Sequence, residues 1–283
     1  MKLTMRNDYQ ITCIVDNSVL EGSGLLNEHG LSMLIETPHG EVLFDTGKTE
    51  KTLSHNMQML KIAPQDISTI ALSHSHVDHI GGVNLILRQG KHPRIYANPD
   101  LFMQHYAYRN NEYRCIGTGL TQNELTNDAD LQLSTSPIEI VPGLWTSGFI
   151  ENRHEPQGRN DDHVVQQGDS WIPDPYLDDM SLILETSTGL ALICGCCHAG
   201  ILNTLFHVEK VFQKNVTMVF GGIHLVSATE ATTYYVIEKL GEMFPNLVYY
   251  LNHCTGEYAY EKMSQAFTSR IFRFPAGTRV QLS

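Results

Sequence analysis

Residues 74–82 read HSHVDHIGG, and four potential metal ligands, His74, His76, Asp78 and His79, fall within six positions. Imidazole and carboxylate groups both offer lone pairs to divalent ions such as zinc, manganese or iron. The preceding residues 68–72, STIAL, have the apolar content of a buried strand that ends at Ser73. A loop leaving such a strand can turn His74 and His76 one way and Asp78 and His79 another, which suits two adjacent ions. Gly81 and Gly82 allow the backbone to turn tightly where a side chain would crowd them. A solvated polar loop would have no need of H-x-H-x-D-H followed by paired glycines.

The elements that must position this loop can be read along the chain. Alternation over residues 9–16 suits a half-buried strand, and LSMLIE (31–36) and EVLF (41–44) form a hairpin around TPHG. Residues 50–61 have helical spacing, 68–72 and 94–97 read as strands, and helices are expected from 80 to 88 and from 99 to 108. The stretch 109–180 has a strand-like segment near 138–146 and a polar run from 151 to 179, expected to form long loops over one face. The pattern then restarts: strands at 181–185 and 190–194, a helix at 200–213, a strand at 216–220, a helix at 228–243, a strand at 247–251, a helix at 257–268 and a strand at 271–274. No linker separates the halves. Residues 1–283 are therefore expected to form one α/β domain of two similar halves, with sheets inside and helices outside.

Composition narrows the partners. The chain has 283 residues, 19 Lys plus Arg against 31 Asp plus Glu, and a net charge of −12, which argues against non-specific nucleic-acid binding. The N-terminus lacks an uninterrupted apolar run for a signal sequence, no stretch approaches the 18 apolar residues of a membrane span, and three of the six cysteines crowd into ICGCCH. A cytoplasmic protein with reduced thiols is expected.

HSHVDHIGG resembles the signature of the metallo-β-lactamase superfamily, and the strand leading into Asp45-Thr46-Gly47 is similar to its first motif. The resemblance spans nearly the whole chain and implies the αββα sandwich, two mixed sheets face to face with helices outside. DNSVLEG (16–22), EHGLS (28–32), LDDMSLILET, GCCHAGILNT (195–204), GGIHL (221–225) and NHCTGE (252–257) are similar to the group of 7,8-dihydropterin-6-methyl-4-(β-D-ribofuranosyl)aminobenzene-5'-phosphate synthase-like proteins. The resemblance implies two zinc ions, with manganese or iron as alternatives: His74, His76 and His198 at one site, and Asp78, His79 and His253 at the other. Where the superfamily pattern has a Gly-Asp pair to bridge the metals, this chain has Gly195-Cys196-Cys197-His198. Either Cys196 takes the bridging place or water does.

Other residues are candidates beside these. Asp45, ending a buried strand, can accept hydrogen bonds from loop amides or a ligand imidazole. His224 follows a strand and could be a ligand, a substrate contact or a proton donor, while Asp178 and Asp179 could approach the metals. His154 is an alternative ligand, His163 could line the cleft, and His29, His39, His55, His92, His105 and His207 carry no ligand spacing.

Such a centre ionises water at neutral pH and stabilises the oxygens of an in-line displacement. The expected function is therefore hydrolysis of a small anionic metabolite, a phosphoester or cyclic phosphate, by a metal-activated hydroxide. Asp78 would accept the proton, and His224 would stabilise or protonate the leaving group. Starts of helices after His198 and His253 would help hold the anion. A pterin-phosphate synthase-type transferase, a mononuclear-iron thiol dioxygenase and a non-catalytic binding protein are the alternatives. No nucleic acid or membrane is expected as a partner, and a homodimer is left open.

Overall fold

The computed structural model describes residues 9–89 and 92–282. Residues 1–8, part of the N-terminal segment read for a signal sequence, lie outside the described residues. One seven-stranded sheet runs, in spatial order, Arg279–Leu282, Tyr9–Val15, Ser32–Thr37, Gly40–Phe44, Thr69–Ala71, Arg94–Ala97 and Asp130–Leu133. The second runs Ile271–Arg273, Val248–Leu251, Val216–Gly221, Gly189–Cys194, Leu182–Thr186, Leu144–Thr146 and Glu139–Val141. In each, antiparallel hairpins give way to parallel strands that alternate with helices.

Period-2 alternation divides each strand between two layers. Ile11, Met33, Ile35, Val42 and Phe44 of the first sheet meet Leu182, Leu184, Ala191, Ile193 and Phe220 of the second in one buried cluster. The intervening residues face helices: Leu34, Leu43 and Ile70 pack with Leu53, Met57 and Ile86, while Leu190, Leu192 and Val219 pack with Leu205, Val236 and Leu240. This is the αββα sandwich expected, and strands buried on both faces explain the near-continuous apolar runs of their sequences.

Several elements differ from the sequence reading. The helix expected at 99–108 is a short 3-10 turn, Pro99–Phe102, followed by strand His105–Arg109. Pro99 and the Asn98 cap start the turn, but Tyr106 and Tyr108 alternate with His105 and Ala107 at strand period. The polar run expected as loops contains strands His163–Gln167 and Ser170–Pro173. Together with His105–Arg109 and Glu112–Cys115 they form a third, four-stranded antiparallel sheet. Its aromatic residues stack on one another, Tyr113 on Trp171 at 3.9 Å between ring centroids. Cross-strand aromatic pairing of this kind leaves little continuous hydrophobic signal in the sequence. Among the described residues no helix is long and apolar enough to cross a membrane.

Phe220 is fully buried between the sheets and stacks on Tyr250 at 4.7 Å and against Phe274 at 5.6 Å. Phe220→Ala is expected to lower the unfolding free energy by about 3–5 kcal/mol, measured by urea denaturation; a loss below about 1 kcal/mol would contradict the sheet-on-sheet core.

Candidate metal centre

The parallel strands Gly40–Phe44 and Thr69–Ala71 of one sheet, and Gly189–Cys194, Val216–Gly221 and Val248–Leu251 of the other, all deliver polar residues just past their C-terminal ends. Those ends share one edge of the sandwich, the usual position for ligand sites in open α/β sheets. Asp45, His74, His76, His198, His224 and His253 all leave strands there. Four residues in these turns that are not glycine, Asp45, Cys197, His224 and His253, have φ between 44° and 60°. Such conformations are unfavourable and persist where surrounding contacts enforce them.

The hydrogen bonds decide which nitrogens face inward. Asp45, with no exposed surface, accepts from the Ser73 amide at 2.7 Å, the Ser73 hydroxyl at 2.7 Å and His79 Nδ1 at 2.6 Å. The Ser73 hydroxyl has then given away its one proton and accepts from His74 Nδ1 at 2.8 Å. His198 Nδ1 donates to the Gly158 carbonyl at 2.6 Å. His253 Nδ1 donates to Asn17 Oδ1 at 3.1 Å; that oxygen is identified as the acceptor because the Gly30 amide also donates to it at 3.3 Å. In the neutral rings, Nε2 of His74, His79, His198 and His253 is therefore a lone pair directed into the site.

These lone pairs crowd one another. His79 Nε2 lies 3.0 Å from His253 Nε2, 3.2 Å from the Cys196 sulfur and 3.8 Å from Asp78 Oδ2. His74 Nε2 lies 3.1 Å from His76 Nδ1, and Nε2 of His76 and of His198 is buried without a partner. If His76 donates through Nδ1, its Nε2 is an unanswered acceptor; if it donates through Nε2, two lone pairs face each other. Positive charge is what this arrangement calls for. His79 reflects it: burial lowers its pKa, but Asp45 and Asp78 raise it overall. Burial holds His74, His76 and His198 well below the ordinary imidazole range, and so in the neutral form that binds metals.

The residues fit divalent cations. One ligating atom from each of His74, His76 and His198 lies within 4.8 Å of the others, as do atoms of His29, Asp78 and His253, and of His74, His79 and Cys196. Burial raises the Asp78 pKa, but the imidazoles of His253 and His29 beside it bring it well below the usual carboxylate range. All six residues expected as ligands thus come together.

The other candidates separate. Asp178 accepts from the Ser75 amide at 2.8 Å and Asp179 from the Ala199 amide at 2.8 Å, so each braces a site-bearing turn. His163 lines the cleft and meets the Tyr176 hydroxyl at 2.9 Å, whereas His154 is exposed. His224 lies beside His198, 4.3 Å between ring centroids, and its Nδ1 is buried without a partner. Burial, with His253 and His163 nearby, pulls its pKa down to about 4.

Sequence reasoning missed three groups. His29 lies 3.2 Å from Asp78. His105 is buried beside Asp174 and Asp178; burial lowers its pKa, but the two carboxylates raise it to about 10. Tyr176 stacks on His198 at 4.0 Å. EHGLS and DNSVLEG, two of the quoted motifs, contain His29 and Asn17, but spacing gave no sign of where they point.

The site opens into a cleft of about 990 Å³. Lys48, Arg109 and Arg114 line it, together with Glu112 and Asn110 of the hairpin at the edge of the third sheet. The expected helix starts do not: before the first of them, the Ala199 amide is taken by Asp179 and the Gly200 amide by the Cys197 carbonyl. Side-chain cations, not helix ends, face the opening.

The profile of the metallo-beta-lactamase superfamily matches residues 27–194. The chain belongs to this superfamily. It is 28% identical over 292 residues to the 7,8-dihydropterin-6-methyl-4-(beta-D-ribofuranosyl)-aminobenzene-5'-phosphate synthase of Methanocaldococcus jannaschii, covering 98% of each chain. An uncharacterised protein of the same organism is 29% identical over 258 residues, covering 90% of this chain and 94% of that one. Among solved structures, Tm1679, a metal-dependent hydrolase of the beta-lactamase superfamily, superposes with a TM-score of 0.82 at 26% identity, over 97% of this chain and 99% of that one. The metallo-beta-lactamase fold implies divalent-metal binding, and the lone-pair geometry above agrees with it.

Asp45→Ala is expected to weaken zinc binding about 10–100-fold, because His74 and His79 lose the group that orients them. Competition with a chromogenic chelator measures this; unchanged affinity would contradict the orienting role.

Proposed function

We propose that the protein is a metal-dependent hydrolase of a small anionic substrate, a phosphoester or cyclic phosphate. The observation that carries this reading is the convergence of two acceptor sets at the base of a cleft lined by Lys48, Arg109 and Arg114. His74, His76 and His198 would hold one zinc, manganese or iron ion, and Asp78, His79 and His253 the other. Bound there, the metals supply Lewis acidity and a water that ionises near neutral pH.

The chain's own groups do the rest. Asp78 is ionised, so its carboxylate can accept a proton at the centre. His224 is neutral at pH 7, so it acts as a hydrogen-bond donor to a substrate oxygen rather than as an imidazolium. That narrows the expected role from protonating the leaving group to stabilising it. Lys48 and Arg114 orient the anion; Arg109 is shared with Asp162. The net charge of −12 disfavours long nucleic acids, while these local cations suit a small phosphate. The proposed partner is accordingly a small anionic metabolite. Six free cysteines, five of them buried, support a reducing, cytoplasmic setting.

One observation favours a second reading. The archaeal relative, matched end to end, is named a synthase of a pterin 5'-phosphate. The same centre could serve a transfer reaction, with an acceptor other than water.

A panel of phosphomonoesters, phosphodiesters and cyclic phosphates tests the first reading with chelator-stripped and zinc- or manganese-reloaded protein. Turnover is expected only after reloading and is lost in His76→Ala; Arg114→Ala raises KM with little change in kcat. No turnover by the reloaded protein, or full turnover by His76→Ala, would contradict it.

A further inference from the structure

We propose that Cys196 is a metal ligand, its sulfur standing among the ligating atoms of both sets. This deepens the metal-centre reading and rests on it. The Cys196 sulfur lies 3.2 Å from His79 Nε2. It also groups within 4.8 Å of ligating atoms of His74 with His79, of His198 with His224, and of His253 with Cys254. His74 and His198 belong to one set, and His79 and His253 to the other. The sulfur is thus a neighbour common to both.

The backbone is built to place it there. Gly195 passes so close to Ser73 that an added Cβ would stand 2.2 Å from the Ser73 hydroxyl and 3.1 Å from Asp45. Only glycine allows that approach, and it brings the following residue against the ligand loop. Cys197 then takes φ 60° and turns back, its sulfur 3.3 Å from the Thr204 hydroxyl and its side chain in the helix-facing core. This reversal lets Cys196 and His198 enter the site while Cys197 leaves it.

The competing role is a thiol donating a hydrogen bond to His79 Nε2. That bond uses the lone pair His79 would give to a cation, so it cannot persist once the cation is bound. The sulfur, 3% exposed, would then be left without it beside two positive charges. Coordination removes the conflict. The Cys196 S–H proton leaves to solvent as the sulfur's electron pair goes to the metal, and no oxidant or reductant is required. Thiolate is a good ligand for zinc.

The full-length protein loaded with cobalt(II) tests this by its absorption spectrum. A thiolate-to-cobalt charge-transfer band in the near ultraviolet is expected in the wild type and in Cys254→Ser, and its loss in Cys196→Ser. Visible ligand-field bands without the charge-transfer band would overturn the Cys196 proposal and leave the histidine centre standing. No cobalt bands at all would overturn both. A band lost in Cys254→Ser but kept in Cys196→Ser would also overturn it. Zinc X-ray absorption of the wild type gives a reading independent of any variant's folding. A zinc–sulfur shell at about 2.3 Å is expected, and a shell of nitrogen and oxygen alone would overturn the proposal.

Discussion

One buried carboxylate sets the direction of two of the inward-facing nitrogens, those of His79 and His74. Asp45 holds the Ser73 amide, the Ser73 hydroxyl and His79 Nδ1 together. Through the hydroxyl it also sets His74. Asn17 and the Gly158 carbonyl do the same for His253 and His198. Each imidazole is thereby committed to presenting its remaining lone pair to a shared point. The strained turns at Asp45, His224 and His253 follow from the same requirement. So do the close approaches of Gly81 to Lys48 and of Gly82 to Thr46, where an added Cβ would lie 2.2 Å from a carbonyl oxygen.

The sandwich was legible because its strands are buried on both faces. Runs such as STIAL and LALIC can only be core, and ligands placed immediately after them must emerge at one edge. The HSHVDH cluster was legible as a group because its polar residues are local in sequence. The third sheet was not: its strands are short and polar and pair with each other across about 60 residues, as His105 does with Val165. His105 therefore carries no ligand spacing in a segment whose sequence reads as a helix, although it sits on two carboxylates beside the histidine-rich loop. The helix starts expected to hold the anion do not line the cleft, a matter of tertiary placement that local sequence does not reveal.

The two sheets and the third sheet divide the work. The sandwich supplies rigid strand ends, which fix the ligating atoms more accurately than free loops would. The hairpin Arg109–Cys115 lines the opposite side of the cleft, with Arg114 exposed beside Glu112. That hairpin runs on into Ile116 and Gly117, which pair with Val77 and His76, so the third sheet also braces the metal-site loop.

Diffraction at the zinc absorption edge from a zinc-soaked crystal tests the central claim most directly. Two anomalous peaks are predicted, one among His74, His76 and His198 and the other among Asp78, His79 and His253. Peaks elsewhere, or none at this strand edge, would contradict the account.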